Sequence, residues 1–387
     1  MKFRRGNQIR LLRNVEEYFP ALEREIDAAV SEIFLETYIF EADHTGQRIA
    51  AALARAARRG VLVHLMIDGF GSRLFPEDQR RQLLDAGVQL LVFRPELWTF
   101  RLRSTRLRRL HRKLAVVDGR IGFCGGINVI DHRDARRNTP PRLDYAVSVE
   151  GPLIADMRAA VRTLWMRTAW TQLRRRWLPL AKPVLAFEPR GDQRAAFLVR
   201  DNVRHRHDIE EAYLSAIARA HREVVIANAY FLPGRRFLNA LCDAALRGVR
   251  VTLLLQGRME YILVHYASRA LYRELLDAGV EIHEYTRSFL HAKVAVVDDS
   301  WATVGSSNID PVSLLMAREA NVVVRDQTFV QELRDSLRQA IEAGAKPVER
   351  ERWTRMGLPM QLATGVAYAL LRLLTGISSY GRAQDFM

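Results

Sequence analysis

Apolar positions along the chain recur at two spacings, and the pair of spacings itself occurs twice. Residues 33–39 form a β-type apolar run. Residues 46–59 place apolar side chains at helical spacing up to Gly60, residues 61–67 are strand-like, 76–86 are helical up to Gly87, and 88–93 are strand-like again. A second series follows over 224–227, 237–247, 249–255, 262–278 and 280–285. Strand–helix alternation with glycine just beyond the helices predicts an α/β fold whose helices flank mostly parallel sheets.

The two series are copies. Ala56-Ala57-Arg58-Arg59-Gly60-Val61 is echoed by Ala244-Ala245-Leu246-Arg247-Gly248-Val249, and Leu83-Leu84-Asp85-Ala86-Gly87-Val88 by Leu275-Leu276-Asp277-Ala278-Gly279-Val280. His111-Arg112-Lys113-Leu114-Ala115-Val116-Val117-Asp118 returns as His291-Ala292-Lys293-Val294-Ala295-Val296-Val297-Asp298. The echoes keep their order at a period of about 190 residues, far beyond solenoid periods of roughly 20–50, so a whole domain is duplicated. We divide the chain into a first lobe, 1–180, a second lobe, 181–345, and an apolar tail, 346–387. The join over 178–194 holds Pro179, Pro183, Pro189 and Gly191. The first lobe carries 12 extra residues before its histidine, within 94–110, where Arg94, Arg101, Arg103, Arg106, Arg108 and Arg109 accompany Trp98 and Phe100. That stretch reads either as a solvated loop or as an anion-collecting rim.

Composition sharpens the partner. With 49% hydrophobic and 27% charged residues, the 387-residue chain is neither disordered nor fibrous. Its net charge of +15 favours anionic partners: nucleic acid, phospholipid head groups or small phosphates. Two cysteines suit a reducing compartment, and no signal peptide or N-terminal anchor is expected. Lysine is scarce: five among 59 basic residues, and Lys113 and Lys293 occupy equivalent places in the repeat.

Both motifs read H-x-K-x4-D, followed by Gly125-Gly126-Ile127-Asn128 in one lobe and Gly305-Ser306-Ser307-Asn308 in the other. On a strand, residues two apart share a face, so His111 projects with Lys113 and His291 with Lys293. A buried ammonium needs an anionic partner. Symmetric pairing of the lobes would bring both histidines to one phosphodiester, one attacking phosphorus and the other protonating the leaving alkoxide. Lys113, Lys293, Asn128, Asn308 and the hydroxyl of Ser306 or Ser307 would hold the non-bridging oxygens. Metal-ligand spacings are absent, and neither metal nor other cofactor is expected.

The twin H-x-K-x4-D motifs, with G-G-x-N and G-S-S-N behind them, resemble the phospholipase D superfamily over roughly residues 8–343. The resemblance implies two duplicated phospholipase D-like α/β lobes related by pseudo-two-fold symmetry, and a phosphohistidine intermediate. It implies that an acidic residue beyond each Asn orients a histidine, which points to Glu319 and Asp144. Asp118 and Asp298 complete the motif set of candidate catalytic residues, with a structural role, binding across the motifs, as the expectation. His111 is assigned as nucleophile and His291 as general acid on the same resemblance. Gly126 departs from Ser306, so a hydroxyl contact is expected on one side only.

Within the superfamily, residues 34–40 (FLETYIF), 125–129 (GGINV) with Asp131 after it, and 143–152 (LDYAVSVEGP) resemble the cardiolipin synthases, in particular the shorter cardiolipin synthase B-like class. That implies a phosphatidyltransferase joining two phosphatidylglycerols, or another phospholipid donor, with release of glycerol. It places the chain peripherally on the cytoplasmic face of an anionic phospholipid membrane. A hydrolytic phospholipase D and a nuclease share the core chemistry and stay open as alternatives, nucleic acid being the lesser partner. No protein partner is inferred. The tail carries Arg372 as its one charge between Met356 and Gly381, and reads as a helix docked on the core, a segment in the membrane interface, or a span.

Overall fold

The computed structural model describes residues 1–95, 109–131, 141–174, 177, 188–201, 204–310, 313, 317–354 and 358–374. Most of the arginine-rich insertion, most of the join, and residues 355–357 and 375–387 of the tail fall outside these residues.

The first half runs β1 (Arg4–Arg13), α1 (Asn14–Asp27), β2 (Glu32–Thr37), α2 (His44–Arg58), β3 (Leu62–Asp68), α3 (Glu77–Asp85), β4 (Gln89–Phe93), β5 (Lys113–Val117), β6 (Ile121–Gly125), β7 (Tyr145–Glu150) and α4 (Ile154–Thr171). The second runs β8 (Gln193–Arg200), α5 (Asp208–Ala218), β9 (Glu223–Asn228), α6 (Arg235–Leu246), β10 (Arg250–Gln256), α7 (Ile262–Arg269), α8 (Tyr272–Asp277), β11 (Glu281–Tyr285), β12 (Lys293–Val297), β13 (Trp301–Gly305), β14 (Glu319–Arg325) and α9 (Gln327–Gly344). A short β15 (Ala345–Pro347), α10 (Arg350–Thr354) and α11 (Leu358–Leu374) follow.

Helix α2 shows how the sequence sets these elements. Asp43 caps its start by accepting from the Gly46 N–H at 2.8 Å, Ile49, Ala52, Leu53 and Ala56 make its buried stripe, and Gly60 follows it at φ +90°. Gly248 repeats that left-handed stop at φ +89° after α6, where a side chain would be strained. The helix expected over 262–278 is two, α7 and α8. Between them the Ala270 and Leu271 N–H groups reach back three residues, to Ala267 and Ser268, and the winding tightens.

The strands of the described residues join one 15-stranded sheet in the order β15-β11-β10-β9-β12-β13-β14-β8-β1-β7-β6-β5-β2-β3-β4. Read outward from the β8–β1 seam, the two halves list equivalent strands in the same order, which is the pseudo-two-fold of the duplication. Apart from isolated bridges, parallel strand pairing among the described residues is confined to β2-β3-β4 and β9-β10-β11, the units built with crossover helices. The other pairs are antiparallel, so the expectation of mostly parallel sheets narrows to those units. The reason is connection length: the links between β5 and β6 and between β12 and β13 are too short for a crossover.

The halves share a core. Cys124, Tyr145 and Val147 of the first pack in one cluster with Ala302, Val304 and Ala320 of the second. This shared layer fixes β5 and β12, and so the two histidine motifs, relative to each other.

Helix α11 packs along α7. Thr364 and Ala367 are buried, Tyr368 and Leu371 half-buried, while Leu362, Val366, Leu370 and Leu373 stay exposed. The described part of the tail is thus a docked helix with an apolar outer face. No described helix is long and apolar enough to cross a membrane.

Candidate active site

Each histidine stands two residues before a central strand and is pinned by the opposite half. The His111 N–H donates to the Arg318 carbonyl at 3.0 Å, and the His291 N–H to the Leu143 carbonyl at 2.8 Å. These contacts extend two parallel bridges, Leu110 with Arg318 and Leu143 with Leu290. The residue after each bridging partner is a carboxylate. Glu319 Oε1 lies 2.8 Å from His111 Nδ1, and Asp144 Oδ2 lies 2.6 Å from His291 Nδ1. Both expected orienting residues therefore meet a histidine, and each does so across the seam. With Nδ1 occupied, Nε2 is the nitrogen through which each ring can act.

The two carboxylates are held differently. Ser306 Oγ donates to Glu319 Oε2 at 2.5 Å, whereas Asp144 Oδ1 accepts from the Tyr145 N–H at 2.8 Å. A Cβ on Gly126 would stand 2.2 Å from Asp144 Oδ1. The missing side chain in the first half makes room for its carboxylate; the serine in the second half braces one. The hydroxyl contact expected for Ser306 is therefore corrected: it serves Glu319. Ser307 Oγ is likewise turned to the Asn308 carbonyl, at 3.3 Å. Both serines are buried behind the cavity wall.

Lys113 and Lys293 are fully buried, and each Nζ donates to the carbonyl of the histidine two residues before it. Burial pushes Lys113 down to about 7 and Lys293 to about 8, against the pull of Glu319 and Asp144. Burial lowers the pKa of His111, opposed chiefly by Glu319. Burial also lifts Asp144 to about 6, with Lys293 pulling it back. These groups form one coupled cluster of lysines, histidines and carboxylates.

Asp118 and Asp298 do not join it. Asp118 accepts from the N–H groups of Val30, Ser31 and Glu32 at the start of β2, and Asp298 from those of His221, Arg222 and Glu223 at the start of β9. They sit at the far ends of β5 and β12 from the histidines. A catalytic placement is excluded for both, and the expected bond across the motifs is corrected to one within each half. These backbone bonds hold both aspartates below the ordinary carboxylate range, against burial.

The histidines open onto a cavity of about 440 Å³, which Asn128 and Asn308 also line. Asn128 Oδ1 accepts from the Ile39 N–H at 3.1 Å, and Asn308 Nδ2 points to Ser313 Oγ at 3.5 Å. Sequence reasoning did not single out four further side chains of this wall. The Tyr38 ring lies 4.9 Å from the His111 ring and 5.4 Å from Lys113 Nζ. Tyr230, Arg142 and Glu260 form a hydrogen-bonded group on the other side. Tyr38 has no counterpart in the repeat, since Ala229 takes its place, so duplication could not flag it. Asp68 and Gln256, the last residues of β3 and β10, do match: each accepts from the N–H of the residue before a histidine, at 2.8 and 2.9 Å. Alignment of strand ends was the available signal. Among the described residues, no group of three or more His, Cys, Asp or Glu side chains is placed to hold a metal ion.

The family described as "Cardiolipin synthase, PLD-like domain" matches residues 22–152 and again 213–341, once in each half. The chain belongs to this cardiolipin synthase family. Cardiolipin synthase B of Shigella flexneri and that of Escherichia coli K12 are each 42% identical over 90% of this chain and 83% of their own length. A cardiolipin synthase of Geobacillus sp. WCH70 is 31% identical over 95% of the chain and 73% of its own length. Among solved structures, a phosphatidylserine synthase of Haemophilus influenzae superposes over 98% of this chain and 95% of its own, with TM-score 0.66 at 15% identity, a likeness of fold. As a member of the cardiolipin synthase family, the chain is a phosphatidyltransferase of phospholipase D type.

Proposed function

We propose that this enzyme joins two phosphatidylglycerols into cardiolipin through a phosphohistidine. The observation that carries the reading is the crossed pairing: two histidines face one cavity, each held at Nδ1 by a buried carboxylate of the opposite half. Neutral His111 attacks phosphorus through Nε2. The phosphorus–oxygen bond to the glycerol head group breaks, and protonated His291 gives its proton to that oxygen. His291, now neutral, takes the proton from a hydroxyl of the second phosphatidylglycerol. That oxygen attacks phosphorus, and the bond to His111 breaks. Lys113, Lys293, Asn128 and Asn308 steady the non-bridging oxygens throughout. The sum exchanges one phosphodiester for another, so no nucleotide is required.

The cavity suits head groups, not acyl chains, which must remain in a bilayer. Its surroundings support peripheral docking on anionic lipid, which we assign to the cytoplasmic face of the membrane. Phe70 and Leu74 follow β3, beside Arg73 and Arg109, and Met259, Tyr261 and Ile262 follow β10, all five apolar side chains exposed. Helix α11 adds its outer face, and its Leu371 lines the cavity. Replacing Leu362, Val366, Leu370 and Leu373 by Gln leaves the docked face of α11 intact. Co-sedimentation with phosphatidylglycerol vesicles is expected to fall by an order of magnitude or more, with a smaller change in turnover of a soluble short-chain phosphodiester. Unchanged vesicle binding would assign the helix to packing alone.

Purified protein incubated with phosphatidylglycerol vesicles, with and without chelator, tests the reaction. Mass spectrometry is expected to find cardiolipin in both. Phosphatidic acid as sole product would make the enzyme a hydrolase, and DNA cleavage with inert lipid a nuclease.

A further inference from the structure

Two near-identical histidine sites must handle two different partners, a donor that loses its head group and an acceptor that keeps it. Whatever tells them apart must break the repeat. Three carboxylates of the cavity wall do so: Glu41 stands opposite Leu232 in the repeat, Asp310 opposite Ile130, and Glu260 is the one held between a tyrosine and an arginine of that wall. Glu260 lies four residues beyond β10, where Oε2 accepts from Tyr230 Oη at 2.6 Å and Oε1 accepts from Arg142 Nη2 at 3.2 Å. The matching position four residues beyond β3 is Ser72, whose hydroxyl is turned inward to the Tyr38 carbonyl. Neither histidine uses Glu260, since Glu319 and Asp144 fill those places.

We infer that Glu260 receives the hydroxyls of the acceptor's glycerol head group and thereby favours transfer to a diol over transfer to water or a simple alcohol. The inference deepens the transfer reaction proposed above and rests on it. An ionised carboxylate offers about four acceptor positions, of which Tyr230 and Arg142 take two. The remainder serve a side chain that lines the same cavity as His291. Arg142 is steadied over the Phe289 ring at 5.4 Å, and Tyr230 is fixed by the bond itself, so the carboxylate is held in one orientation. A glycerol head group has two neighbouring hydroxyls. One donates to Glu260; the other is left against His291 and the phosphohistidine as a near-attack nucleophile. Water and ethanol have no second hydroxyl to anchor. Sites built to bond a substrate hydroxyl discriminate strongly against analogues that lack it.

The test is a partition ratio, which does not depend on how much intermediate forms. Phosphatidylglycerol vesicles with added ethanol allow three products: cardiolipin, phosphatidylethanol and phosphatidic acid. Glu260→Leu is expected to lower the cardiolipin-to-phosphatidylethanol ratio on the order of tenfold, the scale of one charge-assisted hydrogen bond. Glu260→Gln, which keeps one carbonyl acceptor and the side-chain shape, is expected to lower it by less and carries the test if the leucine variant does not fold. An unchanged ratio in Glu260→Gln, with cardiolipin made by the unaltered enzyme, overturns the role of Glu260 alone. No cardiolipin from the unaltered enzyme overturns the transfer reaction on which it rests.

Discussion

His111→Ala and His291→Ala are each expected to reduce cardiolipin formation by at least about 10⁴-fold, because groups that act as a unit fail together. The two losses should differ in kind. Without His111 no covalent intermediate can form, so exchange of labelled glycerol into phosphatidylglycerol stops as well. Without His291 the nucleophile remains, but the leaving oxygen lacks a proton donor. A substrate with an acidic leaving group, such as a nitrophenyl phosphodiester, should then recover release of nitrophenol in His291→Ala and not in His111→Ala. Recovery in the reverse order would exchange the two roles, and near-full activity in either variant would remove the two-histidine mechanism.

The second large effect concerns the lysines and pH. Lys113→Ala and Lys293→Ala should each cost roughly 10²–10³-fold in kcat, the scale of losing one preorganised contact to transition-state charge. Lys113→Arg should not rescue, although the chain writes nearly every other cation as arginine. The slot beneath Tyr38 is fully buried and gives the ammonium one carbonyl acceptor, and a planar guanidinium needs more room and more acceptors.

In the free enzyme kcat/KM should fall as pH rises through about 7 to 8, where Lys113 and Lys293 lose their protons. On the acid side it should fall below about 6, as Asp144 is protonated and releases its hold on His291. The alkaline loss is not unfolding. Between the lowered folded values and the ordinary 10.5, the unfolded chain binds protons that the folded chain does not, so the lysines' contribution to stability rises with pH there. Turnover and stability followed together from pH 7 to 9 should therefore part company. If both fall together, the lysines are not the titrating groups.

How much of this was legible depended on repetition. The duplicated lobes, their strand–helix alternation and the two His–Lys pairs follow from three echoes in one order, because a duplicated buried site must repeat both its strand and its chemistry. The orienting carboxylates were found as positions, but their crossing was not, since no single motif says which half supplies the partner. It arises from the short bridges that place Arg318 beside Leu110 and Leu143 beside Leu290.

Strand β1, at the seam itself, was invisible to a periodicity search. It carries Arg4, Arg5, Asn7, Gln8, Arg10 and Arg13 among its ten residues and owes its place to pairing with β7 and β8. Ser306 and Ser307 were read as facing the substrate because a hydroxyl beside a phosphate site is chemically apt. In the fold one braces a carboxylate and the other a backbone turn. Tyr38, Glu260, Tyr230 and Arg142 stand outside the repeat, and only the folded cavity gathers them.

The most direct measurement of the central claim is a rapid-quench search for the covalent enzyme. Protein mixed with phosphatidylglycerol in vesicles, quenched in base to preserve phosphoramidate and digested, should yield a phosphatidyl adduct on His111 that disappears when fresh phosphatidylglycerol is chased in and cardiolipin appears. An adduct on His291 instead would reverse the roles. Cardiolipin formed with no adduct on either histidine, at times short enough to resolve one turnover, would contradict the covalent mechanism.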